Sequence, residues 1–349
     1  MNYRTKNLIF LMFLLLWVLP AARASAAICP SIADVYIDQR YPDTNMSTKT
    51  RLVISHHPTY GAARGLIKFD IPEDIDAADI VAASLYLSGS YHTGGGQEIQ
   101  VNCYALNQPF SEGSDTWNTL DGGDYDHDIS SSGTIPAGND WETSIDLTTL
   151  VTGNLEKLRN HGMLMRLQSE IGNSYQNIAS RECVDPEDFA PYLDIVLDSD
   201  HDGVADSQDN CPLKPNGPLL GSCSAGPSVG ALCTVGGANP TECGAGGFCS
   251  MNQEDSFPPG GNACGDACEC EGNFDGDLDV DGKDAGTFKK DYGRGKVQHS
   301  CTRMDPCNGD FDCDNDVDGI NAIQFKRDFG RGKISNPCPS CPTDTWCVY

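Results

Sequence analysis

Basic residues are scarce in this chain: 23 lysines and arginines stand against 50 aspartates and glutamates, for a formal charge of −27. Nucleic acid and anionic membrane surfaces both require basic patches, so neither is an expected partner. After the first 26 residues no stretch approaches the ~18 to 20 consecutive apolar residues that a membrane helix needs, which argues against membrane insertion of the mature chain. The motifs G-x-S-x-G, H-E-x-x-H and the P-loop are missing as well, and the chain is read as non-catalytic. Strong helix signals are few, and cysteine is sparse before residue 198.

What is present begins with "MNYRTKNLIFLMFLLLWVLPAARASA": Arg4 and Lys6, an apolar core from Leu8 to Leu19, and small residues in an A-x-A pattern before Ala27. Residues 1–26 therefore read as a cleaved secretory signal, and the mature protein is expected to be secreted, extracellular or at the cell surface. Cys29 follows Ile28 where a lipidated cysteine normally follows a small residue, so an anchor is not expected there. The chain carries 17 cysteines, all after the signal and mostly in the second half. In an exported protein they form a disulfide framework. Their odd number leaves one unpaired within the chain or paired outside it.

Composition divides the chain near residue 198. Before it, "DVYID", "RLVIS", "RGLIKFDI", "AASLYLSG", "EIQVNCYAL", "SIDLTTLV", "GMLMRLQ" and "PYLDIVLD" are short alternating or apolar runs between turn residues. One buried face per strand gives such alternation, so the fold class is mainly β, an antiparallel β-sandwich over residues 27–198. "DLTTLVTGNLEKLRNHG" can hold one short helix, with Gly162 suited to its C-cap.

The order "ADVYID…TN…RLVIS…RGLIKFDIP…AASLYLSG…DTWNTL…W…DLTTLV…NHGMLMRL…ASRE…APYLDIVL" resembles the DNRLRE domain, also described as a carbohydrate-binding-module family. The positions that most resemble it are Asp34, Asn45, Arg64, Lys68, Asp70, Thr116, Trp117, Ser180 and Glu182. The resemblance implies a jelly-roll sandwich that binds a polysaccharide, with acidic ones included. A sugar site needs an aromatic plane and a few fixed polar groups. Arg64, Lys68, Trp117, Tyr60 and Glu182 are the candidate glycan contacts, with Tyr91, Tyr125 and Trp141 as further aromatics. Two other readings stand beside this: Trp117 as core, and Arg64, Asp70 and Glu182 as a buried ionic network. Adjacent strand residues face opposite ways. His56 and His57 are accordingly read as solvated loop histidines and not as a metal pair.

Residues 199–270 begin beside "DSDHDGVADSQDNCP", in which Asp198, Asp200, Asp202, Asp206 and Asp209 take positions 1, 3, 5, 9 and 12 of a calcium loop. Gly203 supplies the tight turn at position 6 and Val204 a carbonyl at position 7. The Asn-Cys-Pro that follows resembles the thrombospondin type 3 repeat. In that family the closing cysteine pairs with one in the next repeat, and "GDACE" at 265–269 is similar to such a partner motif. Residues 213–263 depart from the pattern as an insertion whose Cys223, Cys233, Cys243 and Cys249 are expected to form their own disulfide knot.

Residues 271–349 contain a duplication, "FDGDLDVDGKDAGTFKKDYGRGK" and "FDCDNDVDGINAIQFKRDFGRGK". Repetition at this spacing means two equivalent units. Asn273, Asp275, Asp277, Asp279, Asp281 and Asp284 form one calcium loop, and Asp310, Asp312, Asp314, Asp316, Asp318 and Asn321 the other, so about three Ca²⁺ sites are expected in all. Each loop runs into a helix on which Ala285, Phe288 and Tyr292, or Ala322, Phe325 and Phe329, share one face to be buried against the other repeat. The pair is similar to a dockerin, which implies attachment to a cohesin-like partner, with Lys289, Lys290, Lys326 and Arg327 as docking residues. Leu278 and Asn315 replace the usual loop glycine, and those four cations can equally offset the helix macrodipole.

Two functions follow from these readings. One is a secreted, non-catalytic modular protein that binds polysaccharide through the sandwich and is attached to an extracellular assembly by its disulfide-rich calcium tail. The other is a structural, calcium-dependent adhesion or surface protein that binds no glycan.

Overall fold

The computed structural model describes residues 26–89, 96–138, 140–183, 189–256, 260–261, 263–302, 304–332 and 338. Residues 1–25 of the expected signal, Tyr91 and the cysteines at 341 and 347 lie outside them.

The first half is an antiparallel sandwich that nearly closes into a barrel. Its strands are β1 (Ala26–Asp38), β2 (Arg51–His57), β3 (Gly61–Phe69), β4 (Ile80–Ser88), β5 (Ile99–Leu106), β6 (Tyr125–Ile135), β7 (Glu142–Asp146), β8 (Met163–Leu167), β9 (Ser174–Ala179) and β10 (Tyr192–Leu197). Strand β1 serves both layers. Its residues 26–30 pair with β10, a register shift falls between Ser31 and Ala33, and the remainder pairs with β3. One layer runs β1-β10-β4-β7 and the other β6-β5-β8-β3-β1, with β2 on β3 and β9 on β2. A bridge between Gly89, just past β4, and Ile178 of β9 ties the layers at a further edge.

Alternation explains the core. Ala83, Leu85 and Leu87 of β4, Val101, Cys103 and Ala105 of β5, and Leu193 and Ile195 of β10 are buried between the layers. Each valine, leucine and isoleucine among them contributes about 1.5–3 kcal/mol on burial. Strand β3 is instead covered on both sides, with Leu66 and Ile67 alike inaccessible. The segment 107–124 lies across its second face: a Cβ on Gly123 would stand 2.3 Å from Leu164 and 3.9 Å from Ile37, and one on Gly122 3.0 Å from Trp117. Strands β6 and β9 had no strong sequence signal, because β6 reads "YDHDISSSGTI", mostly polar, and is half exposed.

Helix α1 (Thr148–His161) packs against β5, β6 and β4. Asp146 accepts from the Thr148 amide (2.8 Å) and hydroxyl (2.7 Å), which holds its carboxyl below the usual carboxylate range. Gly162 closes the helix as expected, donating to the Lys157 and Leu158 carbonyls at φ 93°, and a Cβ there would lie 2.7 Å from the Ile67 carbonyl.

The tail is built from small, stapled units. The insertion forms a sheet of β11 (Gly221–Ala225), β12 (Leu232–Cys233), β13 (Gly237–Ala238) and β14 (Phe248–Ser250), ordered β12-β11-β14-β13. Cys223–Cys243 and Cys233–Cys249 knot it, as the spacing suggested, and Cys211–Cys268 joins the first acidic loop to "GDACE". Beyond it, α2 (Gly282–Asp291) and α3 (Gly319–Asp328) face each other across stacked Phe288 and Phe325, ring centroids 4.8 Å apart. Val280 and Val317 are fully buried beside them, and Cys270–Cys338 and Cys301–Cys307 close the unit. The expected apolar stripe needs correction at its ends. Tyr292 and Phe329 are 53% and 51% exposed, because each is a C-cap whose extended backbone leaves the helix before reaching the shared face. The expectation of one leftover cysteine is also too low: Cys29 and Cys103 are both free thiols buried in the sandwich, and burial pushes each up to about 12.

Candidate functional site

Arg64 is the centre of a polar ledge on the second face of the β6-β5-β8-β3 layer. Its guanidinium donates Nε and Nη2 to the two carboxylate oxygens of Glu170 (2.8 and 2.7 Å) and Nη1 to the Gly122 carbonyl (2.6 Å). It lies over the Trp117 ring at 5.0 Å. Arg166 completes the ledge, 2.9 Å from Glu170 and donating to the Tyr125 hydroxyl at 2.7 Å. Register puts these groups together, since β8 stands between β3 and β5 and pairs Arg166 with Asn102. The ionic network foreseen around Arg64 therefore exists with a different partner: Glu170, 106 residues away, in place of Asp70 and Glu182. Such a bidentate pair fixes Arg64 rigidly and commits three of its five donors.

Of the other candidate glycan residues, Trp117 and Tyr125 join it, while Lys68, Tyr60, Glu182 and Trp141 do not. Lys68 donates to the Asn160 carbonyl (2.8 Å) at the end of α1, where a cation offsets the helix dipole. Trp117 is partly buried against the core. Trp141 is buried, its indole donating to the Gly138 carbonyl at 3.2 Å. Tyr60 is 46% exposed and belongs to a surface row: it stacks on His57 at 4.6 Å, and the Arg40 guanidinium lies 4.1 Å over its ring and 5.1 Å over that of Tyr41. Arg40 and Tyr41 were not singled out from the sequence, although "QRYP" next to a turn was the available signal. Glu182 lies with Asp34 and Glu112, one carboxylate oxygen of each being within 4.8 Å of the others.

The three acidic loops are not alike. In the first, the Asp198 carboxylate accepts from the position 5 and 6 amides, Asp202 (3.2 Å) and Gly203 (3.1 Å), and residues 4 and 6, His201 and Gly203, have φ of 61° and 93°. The third repeats this: Asp310 accepts from Asp314 and Asn315 (both 3.1 Å), with Cys313 at φ 54° and Asn315 at φ 76°. Asparagine tolerates the left-handed region, so Asn315 replaces glycine at modest cost. Both loops thereby gather the carboxylates of positions 1, 3 and 5: Asp198, Asp200 and Asp202, and Asp310, Asp312 and Asp314.

The middle loop differs where its sequence does. Leu278 at position 6 stays out of the left-handed region, and only Gly276 at position 4 enters it, at φ 71°. The neutral Asn273 donates to the Asp277 carbonyl (2.6 Å) and accepts from Gly276 (3.0 Å). Here the gathered carboxylates are the closing ones, Asp279, Asp281 and Asp284. Position 12 also caps each helix: Asp281 and Asp284, and Asp318 and Asn321, form reciprocal capping boxes.

All three loops have the donor chemistry of a hard cation site. Asp200 Oδ2, Asp209 Oδ2, Asp279 Oδ1 and Asp316 Oδ1 are buried carboxylate oxygens, and those of Asp200 and Asp209 accept no hydrogen bond among the described residues. Burial, then repulsion by Asp202, Asp209 and Asp198, pushes Asp200 up to about 8, while burial raises Asp209 to about 6. Ammonium groups lie against two of the loops, Lys283 at 3.4 Å from Asp275 and Lys296 at 2.5 Å from Asp314.

The four proposed docking cations, Lys289, Lys290, Lys326 and Arg327, are all exposed, two at the end of each helix. The sequence did not mark Ile323, which is 64% exposed on α3 one turn beyond the 61% exposed Ile320.

Residues 26–196, just under half of the chain, match the sequence profile of carbohydrate-binding module family 96. This supports the carbohydrate-binding-module reading of the sandwich, and a module of that kind is not in itself a catalyst. No curated protein matches the chain.

Proposed function

We propose that this is an exported, non-catalytic modular protein whose sandwich binds a polysaccharide and whose tail folds around calcium to attach it to an extracellular assembly. The match of residues 26–196 to carbohydrate-binding module family 96 carries the first part. Within that segment the exposed row Tyr41, Arg40, Tyr60 and His57 offers what a sugar ring needs: aromatic planes for its apolar face and a guanidinium for hydroxyls or a uronate. The Arg64 ledge is assigned to the fold, since its donors are committed to Glu170 and Gly122. The three loops are assigned to Ca²⁺, which takes six to eight oxygen ligands of the kind they gather. In the tail, Ile320 and Ile323 with Arg327 and Lys326 form the face assigned to a cohesin-like or other protein partner.

Affinity electrophoresis of the full-length chain against neutral and uronate polysaccharides tests the glycan reading. Retardation by at least one of them is expected, with Tyr60→Ala weakening it about tenfold. Migration unchanged by any polysaccharide would overturn it. The adhesion reading then becomes the better one, and one observation favours it: the first loop is fastened to the sandwich by Asp198 and Asp206 amides on the Asp79 and Leu197 carbonyls, both 2.8 Å, as a stiff spacer would be. Docking is checked by capture of partners with calcium and with chelator. A partner lost on chelation and on Ile320→Asp/Ile323→Asp is expected.

A further inference from the structure

We propose that the sandwich holds a divalent, oxygen-ligated cation of its own, separate from the three tail loops, at Asp34, Glu112 and Glu182. These residues come from β1, from the turn at 111–115 within the 107–124 segment, and from the stretch after β9. One carboxylate oxygen from each lies within 4.8 Å of the other two. Like charges this close repel one another unless a cation or a proton intervenes.

The second observation is Asp34 itself. It is 1% exposed, and its Oδ2 accepts from the Arg181 amide at 2.9 Å. Its Oδ1 is buried and has no hydrogen-bond partner among the described residues, a state shared with Asp200 Oδ2 and Asp209 Oδ2 in the first calcium loop. A buried charged oxygen without a donor is costly to leave so. Among the described residues the cation beside the cluster is Arg181, whose side chain, one-third exposed, pairs with Glu112 at 3.2 Å, while its backbone amide is what donates to Asp34.

The cluster is also held in place by bonds that do not use its carboxylates. Asn45 donates its side-chain amide to the Glu112 and Asp115 carbonyls, both 2.8 Å, and so fastens the turn. Ser180 donates to the Lys49 carbonyl at 3.0 Å and accepts from the Glu182 amide at 3.3 Å, fixing the other arm. A site preformed in this way keeps three hard carboxylate donors converged, which suits Ca²⁺, with backbone carbonyls or water completing the shell. Its location gives it a consequence. The turn it grips lies in the same segment as Trp117 and the Gly122 carbonyl, both against Arg64. The ion would thus fasten the cover over the β3 face. This inference does not rest on the glycan reading or on the tail loops.

The test uses the full-length chain and Ca²⁺ alone. Native mass spectrometry after chelation and reloading counts the ions bound by the parent and by Glu112→Gln/Glu182→Gln, with near-ultraviolet circular dichroism confirming the fold. One ion fewer in the variant is expected, whatever the total; an unchanged count overturns the proposal. Thermal unfolding gives a second readout with an opposite sign in its two arms. In chelator the variant should melt at or above the parent, because repulsion has been removed. In Ca²⁺ the parent should gain more than the variant; equal gains overturn the site. Should the double variant fail to fold, Glu182→Gln alone is expected to weaken the same ion at least tenfold, and undiminished affinity counts against it equally.

Discussion

Lys214 lies three residues past Cys211, where burial pushes its ammonium down to about 8, with Arg331 adding to the effect and Asp328 opposing it. An unfolded lysine keeps its proton to about 10.5. Between the two values the unfolded chain binds more protons, so stability rises with pH across that window and the full cost is present below it. Lys214→Met should therefore raise the unfolding midpoint of the tail at pH 7 by an amount equivalent to about 2 kcal/mol, a gain that vanishes towards pH 10.5; a pH-independent gain would refute the assignment. Arg64 is held by a bidentate carboxylate and a backbone carbonyl. With side-chain exposures of 13% and 15%, the Arg64–Glu170 pair is largely desolvated. Arg64→Ala should cost about 2–4 kcal/mol in urea unfolding, with Arg166 limiting the damage, and Arg64→Lys should recover little because the fork geometry is lost. Loss of glycan affinity without loss of stability would move Arg64 back to the binding surface.

Among the elements, the duplicated loop-helix units show how one residue changes a site. The first and third loops share left-handed residues at positions 4 and 6, and the middle loop lacks the second because Leu278 stands there. Leu278→Gly should tighten calcium binding by that loop several-fold in calorimetric titration, by letting position 6 turn its amide towards position 1. No change would mean that the neutral Asn273 is what limits it. The Phe288–Phe325 stack is the other determinant, since it is most of what the two helices bury. Phe288→Ala should cost about 3–5 kcal/mol and separate the repeats, read as loss of helical circular dichroism in the tail.

For the whole molecule, the two halves are stabilised by different means. The sandwich has a large aliphatic core, and its buried Cys29 and Cys103 form no cross-link. The tail has small clusters, disulfides and acidic loops that repel without a cation. A small core of this kind needs such staples. If each tail site binds about a hundredfold tighter than the ambient Ca²⁺, each contributes about 2.7 kcal/mol. Chelator with reductant should therefore abolish the tail's thermal transition while the sandwich still unfolds cooperatively. A single transition that moves as one would show that the joint at Asp198 couples the halves.

The sequence alone determined whatever depends on neighbours along the chain. Period-two alternation marked most strands, Gly162 marked the end of α1, oxygen-donor spacing marked three loops, and four closely spaced cysteines implied a local knot. These are short-range constraints, and each can be read in a window of a dozen or so residues. The tertiary structure decided what depends on distant segments meeting. Glu170 and not Asp70 or Glu182 answers Arg64, β1 crosses between layers, and the 107–124 segment covers β3 so that Leu66 and Ile67 are buried on opposite faces. It also exposed Tyr292 and Phe329 and brought Asp34, Glu112 and Glu182 to one point. Charge and burial act through space, and residues 78 and 148 positions from Asp34 approach it only once the strands have paired.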